Sequence, residues 1–186
     1  MPFWTDATTE PKRSFRYYFS FTGNGDGAGA NKIETYAIKA VKKPSFTVSE
    51  VPHQYVAHTF YYPGRITWNT IDVTFVDPVV PDQSAVITNM LVDGGYTRPT
   101  NETNSRGSFS KQKFVTAVGT PKITQIDADG NTIEIWTLNN SFITSVDYGQ
   151  LDYSSEDLVV ISATIRYDYA TFENPGAQPT SKLTLG

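Results

Sequence analysis

Apolar residues recur at every second position through most of this chain. From 158 to 169 (LVVISATIRYDY), Val159, Ile161, Ala163, Ile165, Tyr167 and Tyr169 fall on one side of a two-residue repeat. Leu158, Val160, Ser162, Thr164, Arg166 and Asp168 fall on the other, so the spacing predicts one long strand with a fully apolar face. A first strand is expected over 14–22, where Phe15, Tyr17, Phe19 and Phe21 alternate with Arg16, Tyr18 and Ser20, and a second over 33–41. Lys42, Lys43 and Pro44 make a turn before extended structure resumes at 46–48. The stretch 54–76 reads as a long hairpin, extended from Gln54 to Tyr62, turned by Pro63 and Gly64, and returning from Thr67 to Val76. On the returning strand Ile71, Val73 and Phe75 face the core, as do Val159, Ile161 and Ile165 in the last strand. Trp68, Thr70, Asp72 and Thr74 face the other way. Thr70, Asp72 and Thr74 are the candidate lining of a polar inner wall, if copies of the hairpin stand side by side and cover one another's edges.

The period changes once. Over 83–92 (QSAVITNMLV), Val86, Ile87, Met90 and Leu91 recur at helical spacing, with Asp82 as cap and Gly94 and Gly95 as the stop. Residues 111–118 fit either a helical turn or an extended connector. Extended segments at 121–126 and 131–138 flank Asp127–Gly130, an Asp-Gly hairpin turn, and 142–148 supplies a further strand. The pattern gives a mainly β chain: an antiparallel β-sandwich or half-barrel with one short flanking helix, which copies standing side by side would complete as a β-barrel inner wall. Residues 1–13, with two prolines, read as a flexible N-terminal arm that docks on a neighbour or frays. Residues 14–173 form the β domain, and 174–186 form a flexible tail biased to Pro, Gly and Ser.

Composition narrows the function. Charged residues are only 18% of the chain while Phe and Tyr number 11 each, so the surface is lightly charged and rich in rings suited to contact. The formal charge of −4 argues against a cationic grip on nucleic acid and suits a wall that DNA passes without sticking. The absence of cysteine removes disulfides, thiolate nucleophiles and Cys-based metal sites. No apolar run reaches membrane length, so no membrane insertion is expected. The loop GNGDGAGAN lacks the Lys and Ser/Thr of a phosphate loop, and no Gly-x-Ser-x-Gly occurs. His53 and His58, five apart on an extended stretch, are expected on opposite faces, against a shared metal. No cofactor and no catalytic set is indicated, so a non-enzymatic, structural role is expected.

Three blocks carry a resemblance: KAVKKPSFTVSEVP (39–52), the hairpin running into TWNTIDVTFV (67–76), and 136–173 with its Gly-x-Leu-x-Tyr run, acidic turn and Asp-Tyr ending. Together they resemble the tail tube protein family of contractile-tailed, myovirus-type bacteriophages. The family pattern matches at Pro52, Gly64, Thr67, Trp68, Val73, Thr74, Gly149, Leu151, Asp168 and Tyr169. The resemblance implies a β-sandwich with a flanking helix, six copies to a ring, and rings stacked into a tube inside a contractile sheath with DNA passing the bore. It implies as partners other copies of the chain, the sheath protein, a baseplate or tube initiator, and transient double-stranded DNA. It also implies a place in the virion tail after assembly in the host bacterial cytoplasm. The chain departs from the family at 23–30, 96–110 and beyond Phe172, which leaves a tube initiator, a tube terminator or a secretion-system ring protein as alternatives. A carbohydrate- or receptor-binding β-sandwich with exposed Tyr and Trp at a loop rim is the rival from a different class.

Overall fold

Two four-stranded antiparallel sheets close on a shared apolar core, and a two-stranded hairpin leaves it. The structure, a computed structural model, describes residues 10–21, 33, 35–102 and 106–175. The first sheet has the order β1 (Tyr17–Ser20), β6 (Lys122–Ile126), β7 (Thr132–Asn139), β10 (Tyr169–Glu173). The second has the order β2 (Ile38–Val41), β5 (Ile71–Val76), β9 (Val160–Arg166), β8 (Phe142–Asp147). Phe19, Ile123 and Leu138 meet Ile71, Val73, Phe75, Ile161, Ala163 and Ile165 between the sheets, all essentially excluded from water. Each of these six residues of β5 and β9 stands two from the next on its strand, so the pleat places them on one face. The mainly β, antiparallel architecture is the one that the alternation predicts, and the described residues form no closed barrel.

Two helices cover one side. α1 (Gln83–Asp93) starts where Asp82 Oδ1 accepts from the Ala85 amide at 3.0 Å, and Asp77 accepts from the Gln83 amide at 3.0 Å. Its Ile87 and Met90 enter the core. α2 (Lys111–Val118) settles the segment that the sequence left open between helix and connector. Ser110 caps it, with Oγ accepting from the Lys113 amide at 3.2 Å, and Val118 reaches the core. The flanking layer is therefore two helices where one was expected.

Three expectations change. The predicted single strand 158–169 is two strands in different sheets, because the chain crosses over at Tyr167 and Asp168 and Tyr169 pairs with Asn139 of β7. Tyr167 remains buried while Tyr169 is exposed. The second strand is shorter than 33–41, beginning at Ile38 after a 3-10 turn over Thr35–Ala37. The third change is the hairpin. Its strands are β3 (Phe46–Tyr55) and β4 (His58–Trp68), and the chain reverses at Val56 and Ala57 rather than at Pro63 and Gly64. β5 belongs to the second sheet and pairs with β2 and β9. Pro63 and Gly64 lie inside β4, which is tolerable because the hairpin consists only of edge strands.

The start of the described chain is tied down. Lys12 and Lys43 both bind the carboxylate of Glu134, whose side chain is 5% exposed, while Lys43 Nζ also donates to Gln125 Oε1 at 2.7 Å. Gln125 Nε2 in turn donates to the Arg13 carbonyl at 3.1 Å. Burial alone would raise the Glu134 carboxyl, but hydrogen bonds from Lys12 and Lys43 and their charges outweigh it and hold the group below its ordinary value. Residues 1–9 and 176–186 of the expected arm and tail, and the glycine-rich loop at 23–30, lie outside the described residues.

Candidate assembly interface

The β3–β4 hairpin is exposed along nearly its whole length, and its register shows how its faces are made. Val48 stands opposite Ile66 and Glu50 opposite Pro63, so Gly64 and Arg65 of β4 face the single residue Ser49 of β3. This bulge inverts the alternation of β4. Near the sandwich, Phe46, Val48, Ile66 and Trp68 share one face, and Trp68 packs on Phe46 at 5.4 Å and on Tyr167 at 5.9 Å between ring centroids. Beyond the bulge the pairs Val51–Tyr62, His53–Phe60 and Tyr55–His58 form the opposite face. Val51, Tyr55, Phe60 and Tyr62 are all exposed there. Two-stranded hairpins are marginal in water by themselves, and among the described residues no protein layer covers this row of rings.

Gly64 makes the bulge possible. A Cβ at this position would stand 2.4 Å from Ser49 Oγ and 2.9 Å from the Ser49 carbonyl oxygen. Ser49 Oγ instead accepts from the Arg65 amide at 2.8 Å, which satisfies a backbone donor released by the irregular register. The same register places His53 and His58 on one face of the hairpin, on adjacent diagonal positions, and not on opposite faces. The reversal at Val56 and Ala57 between them breaks the alternation that five residues of unbroken strand would keep. Among the described residues no group of three His, Asp or Glu side chains could hold a metal ion.

The outer face of the second sheet is polar. Asp72 is exposed there and Thr74 is half-buried on the same row. Asp72 Oδ1 accepts from Thr164 Oγ1 of β9 at 2.9 Å. Thr70 is half-buried just ahead of β5. Ser162 and Asp147 are in register further along the same face, so the sheet offers hydroxyls and carboxylates rather than a row of cations. Val159 is half-buried just before β9, where its carbonyl accepts from the Asp77 amide at 3.1 Å.

The remaining positions of the family pattern divide by role. Gly149 has φ +82°, and a Cβ there would meet the Val160 carbonyl oxygen at 2.6 Å, so a glycine is needed for the chain to pass β9. Asp168 Oδ2 accepts from Lys111 Nζ at 2.6 Å and Asn140 Nδ2 at 2.8 Å, tying α2 to the turn between β7 and β8. Those two bonds, Lys111 first, hold its carboxyl below the ordinary range. Pro52, Thr67, Leu151 and Tyr169 are exposed. Leu151 sits on a loop with Tyr153 and Leu158, and all three apolar side chains are exposed there. No helix among the described residues is long and apolar enough to cross a membrane.

The sequence matches no protein-family model and none of the curated proteins. Solved structures do match the fold. A chain from the anti-feeding prophage baseplate superposes with a TM-score of 0.66 at 13% identity, covering 90% of this chain and 99% of that one. A chain from the sheath/tube terminator of the extracellular contractile injection system PVC gives 0.64 at 16% identity, with 90% and 99% covered. The SPP1 tail tube gives 0.52 at 12% identity, with 88% and 80% covered. At such identities the likeness is one of fold, and the fold that this chain shares is that of proteins in phage tail tubes and contractile injection systems.

Proposed function

We propose that this chain is a structural, non-enzymatic subunit of a tail tube, closing into rings that stack as the inner conduit of a contractile tail. The observation that carries the reading is the β3–β4 hairpin, which holds an exposed aromatic face clear of the sandwich with both strand edges open. A closed ring joins unlike edges of adjacent copies. The terminal strands β2 and β8 of the second sheet are such edges, and joining them carries that sheet around a bore as a continuous barrel. Thr70, Asp72 and Thr74 then line the lumen, and the stacked hairpins supply axial contact. Six copies to the ring, a sheath outside it and double-stranded DNA within follow from the family resemblance, as do a place in the virion tail and assembly in the bacterial cytoplasm.

A ring that ends the tube is the second reading, supported by the likeness to chains from an anti-feeding prophage tube-terminating cap and from the PVC terminator. Long tubes grown from the purified chain favour the main tube subunit, and single rings that do not extend favour the terminator. The hairpin's part is tested by sedimentation of wild type against Phe60→Asp. Wild type is expected to run as large oligomers and the variant as a folded monomer, because the charge lies in solvent until a neighbour buries it. Equal sedimentation of the two contradicts the role of the hairpin.

A further inference from the structure

A second surface opens at the foot of the hairpin. The end of β4, the start of α2 and the corner between β9 and β10 enclose a groove of about 580 Å³. Trp68, Phe109, Phe114, Phe142 and Tyr167 wall it, and Arg166 stands beside them. Phe109 and Phe114 stack with centroids 5.4 Å apart, and Phe114 meets Phe142 at 6.2 Å, so the rings form a continuous wall. The other charged groups at the groove are matched, since Lys111 and Asp168 bind each other. Among the described residues Arg166 has no carboxylate bound to it. An occupant that fits carries bulky rings followed closely by an acid.

The chain contains such a segment. Residues 2–6 read Pro-Phe-Trp-Thr-Asp, and no basic side chain precedes Lys12. From Glu10 onward the described chain runs to β1, anchored by the bond between Lys12 and Glu134. β1 and β2 are terminal strands at one edge of the two sheets, whereas the groove includes Phe142 of β8, the terminal strand at the other edge of the second sheet, and Tyr167 and Asp168, which lead into β10, the last strand of the first. In a ring each copy turns one of these edges to the opposite edge of the next. Nine residues reach roughly 30 Å when extended, enough to cross such a junction.

We propose that residues 2–6 of one copy dock in the aromatic groove of the neighbouring copy, with Phe3 and Trp4 against the ring wall and Asp6 on Arg166. The arm then latches adjacent subunits of the ring, and the proposal rests on the ring reading above. Because the chain has no cysteine, cross-linking tests it directly. Full-length Thr5→Cys and Thr67→Cys variants are mixed, oxidised and resolved on a denaturing gel, with imaging of the same samples. A covalent heterodimer is expected, its yield falling at least about fivefold when Trp4→Ala is added to the arm variant or Arg166→Gln to the groove variant. In a Thr5→Cys, Thr67→Cys double variant, interchain ladders support the latch, and an internally closed monomer alone overturns it by showing each arm in its own groove. Rings without a cross-link overturn the latch and leave the ring reading intact. A cross-linked pair without rings sustains the contact and removes the ring reading.

Discussion

Glu134 joins three parts of the chain, and its protonation state decides whether they stay joined. The carboxylate is almost fully buried, while the Lys12 and Lys43 side chains are 45% and 48% exposed, so each lysine regains water if the carboxylate is lost. Removing the charge therefore costs less than breaking a fully buried pair, about 1–2 kcal/mol. The folded-state group titrates below its unfolded counterpart, so ionised Glu134 stabilises the fold above the ordinary glutamate value of about 4.3. That contribution is lost as the pH falls through this value and on through the lower folded-state one. Urea unfolding is expected to show Glu134→Gln less stable than wild type at pH 7, with the difference shrinking toward pH 3. A constant difference across that range contradicts the clamp. Asp72 tests the wall in a different way: assembled Asp72→Lys tubes are expected to retain DNA about tenfold more than wild type at low salt, and to release it at high salt. Tight binding by wild-type tubes contradicts a nonadhesive bore.

The hairpin shows how an element can be legible in pattern and misread in geometry. Pro63-Gly64 carries the strongest turn signal in 46–68, yet Pro63 pairs within the ladder and Gly64 enters a bulge of β4, and the reversal falls at Val56-Ala57, which has no turn residue. Val56 takes φ +54°, a region that β-branched residues rarely enter, so local propensity pointed away from the true turn. By contrast α1 was readable from Asp82 and the helical spacing of Ile87 and Met90, and the β6–β7 turn from Asp127, whose Oδ1 accepts from the Asn131 amide at 2.8 Å. Both signals act within a few residues, whereas the crossover at Tyr167 and Asp168 depends on which sheet has a free edge. The groove was not readable, because Trp68, Phe114 and Tyr167 come from distant segments. Gly64→Ala is expected to push Ser49 away and disorder the register beyond the bulge. Hydrogen exchange should then quicken in 50–63 with β5 and β9 unchanged, and unchanged protection in 50–63 contradicts the requirement for glycine.

At the scale of the whole molecule, the features that are costly for a monomer coincide. Terminal strands remain open on both sheets, an aromatic hairpin stands clear of the core, and Leu151, Tyr153 and Leu158 project from a loop. The proposed ring assembly would cover all of these and leave the polar outer face of the second sheet toward the lumen. The alternation of the sequence anticipated the sheets and the mainly β class, but edges and protrusions arise from the order in which strands pair, which periodicity does not encode. The rival reading as a glycan-binding sandwich calls for a monomer that binds sugar without assembling. The most direct measurement is negative-stain imaging of the purified chain at high concentration, with particle mass determined on the same sample. The account predicts closed rings with a central hole, of integral multiples of the 20.6 kDa subunit mass, some stacked end to end. Uniform 20.6 kDa particles at every concentration would contradict it.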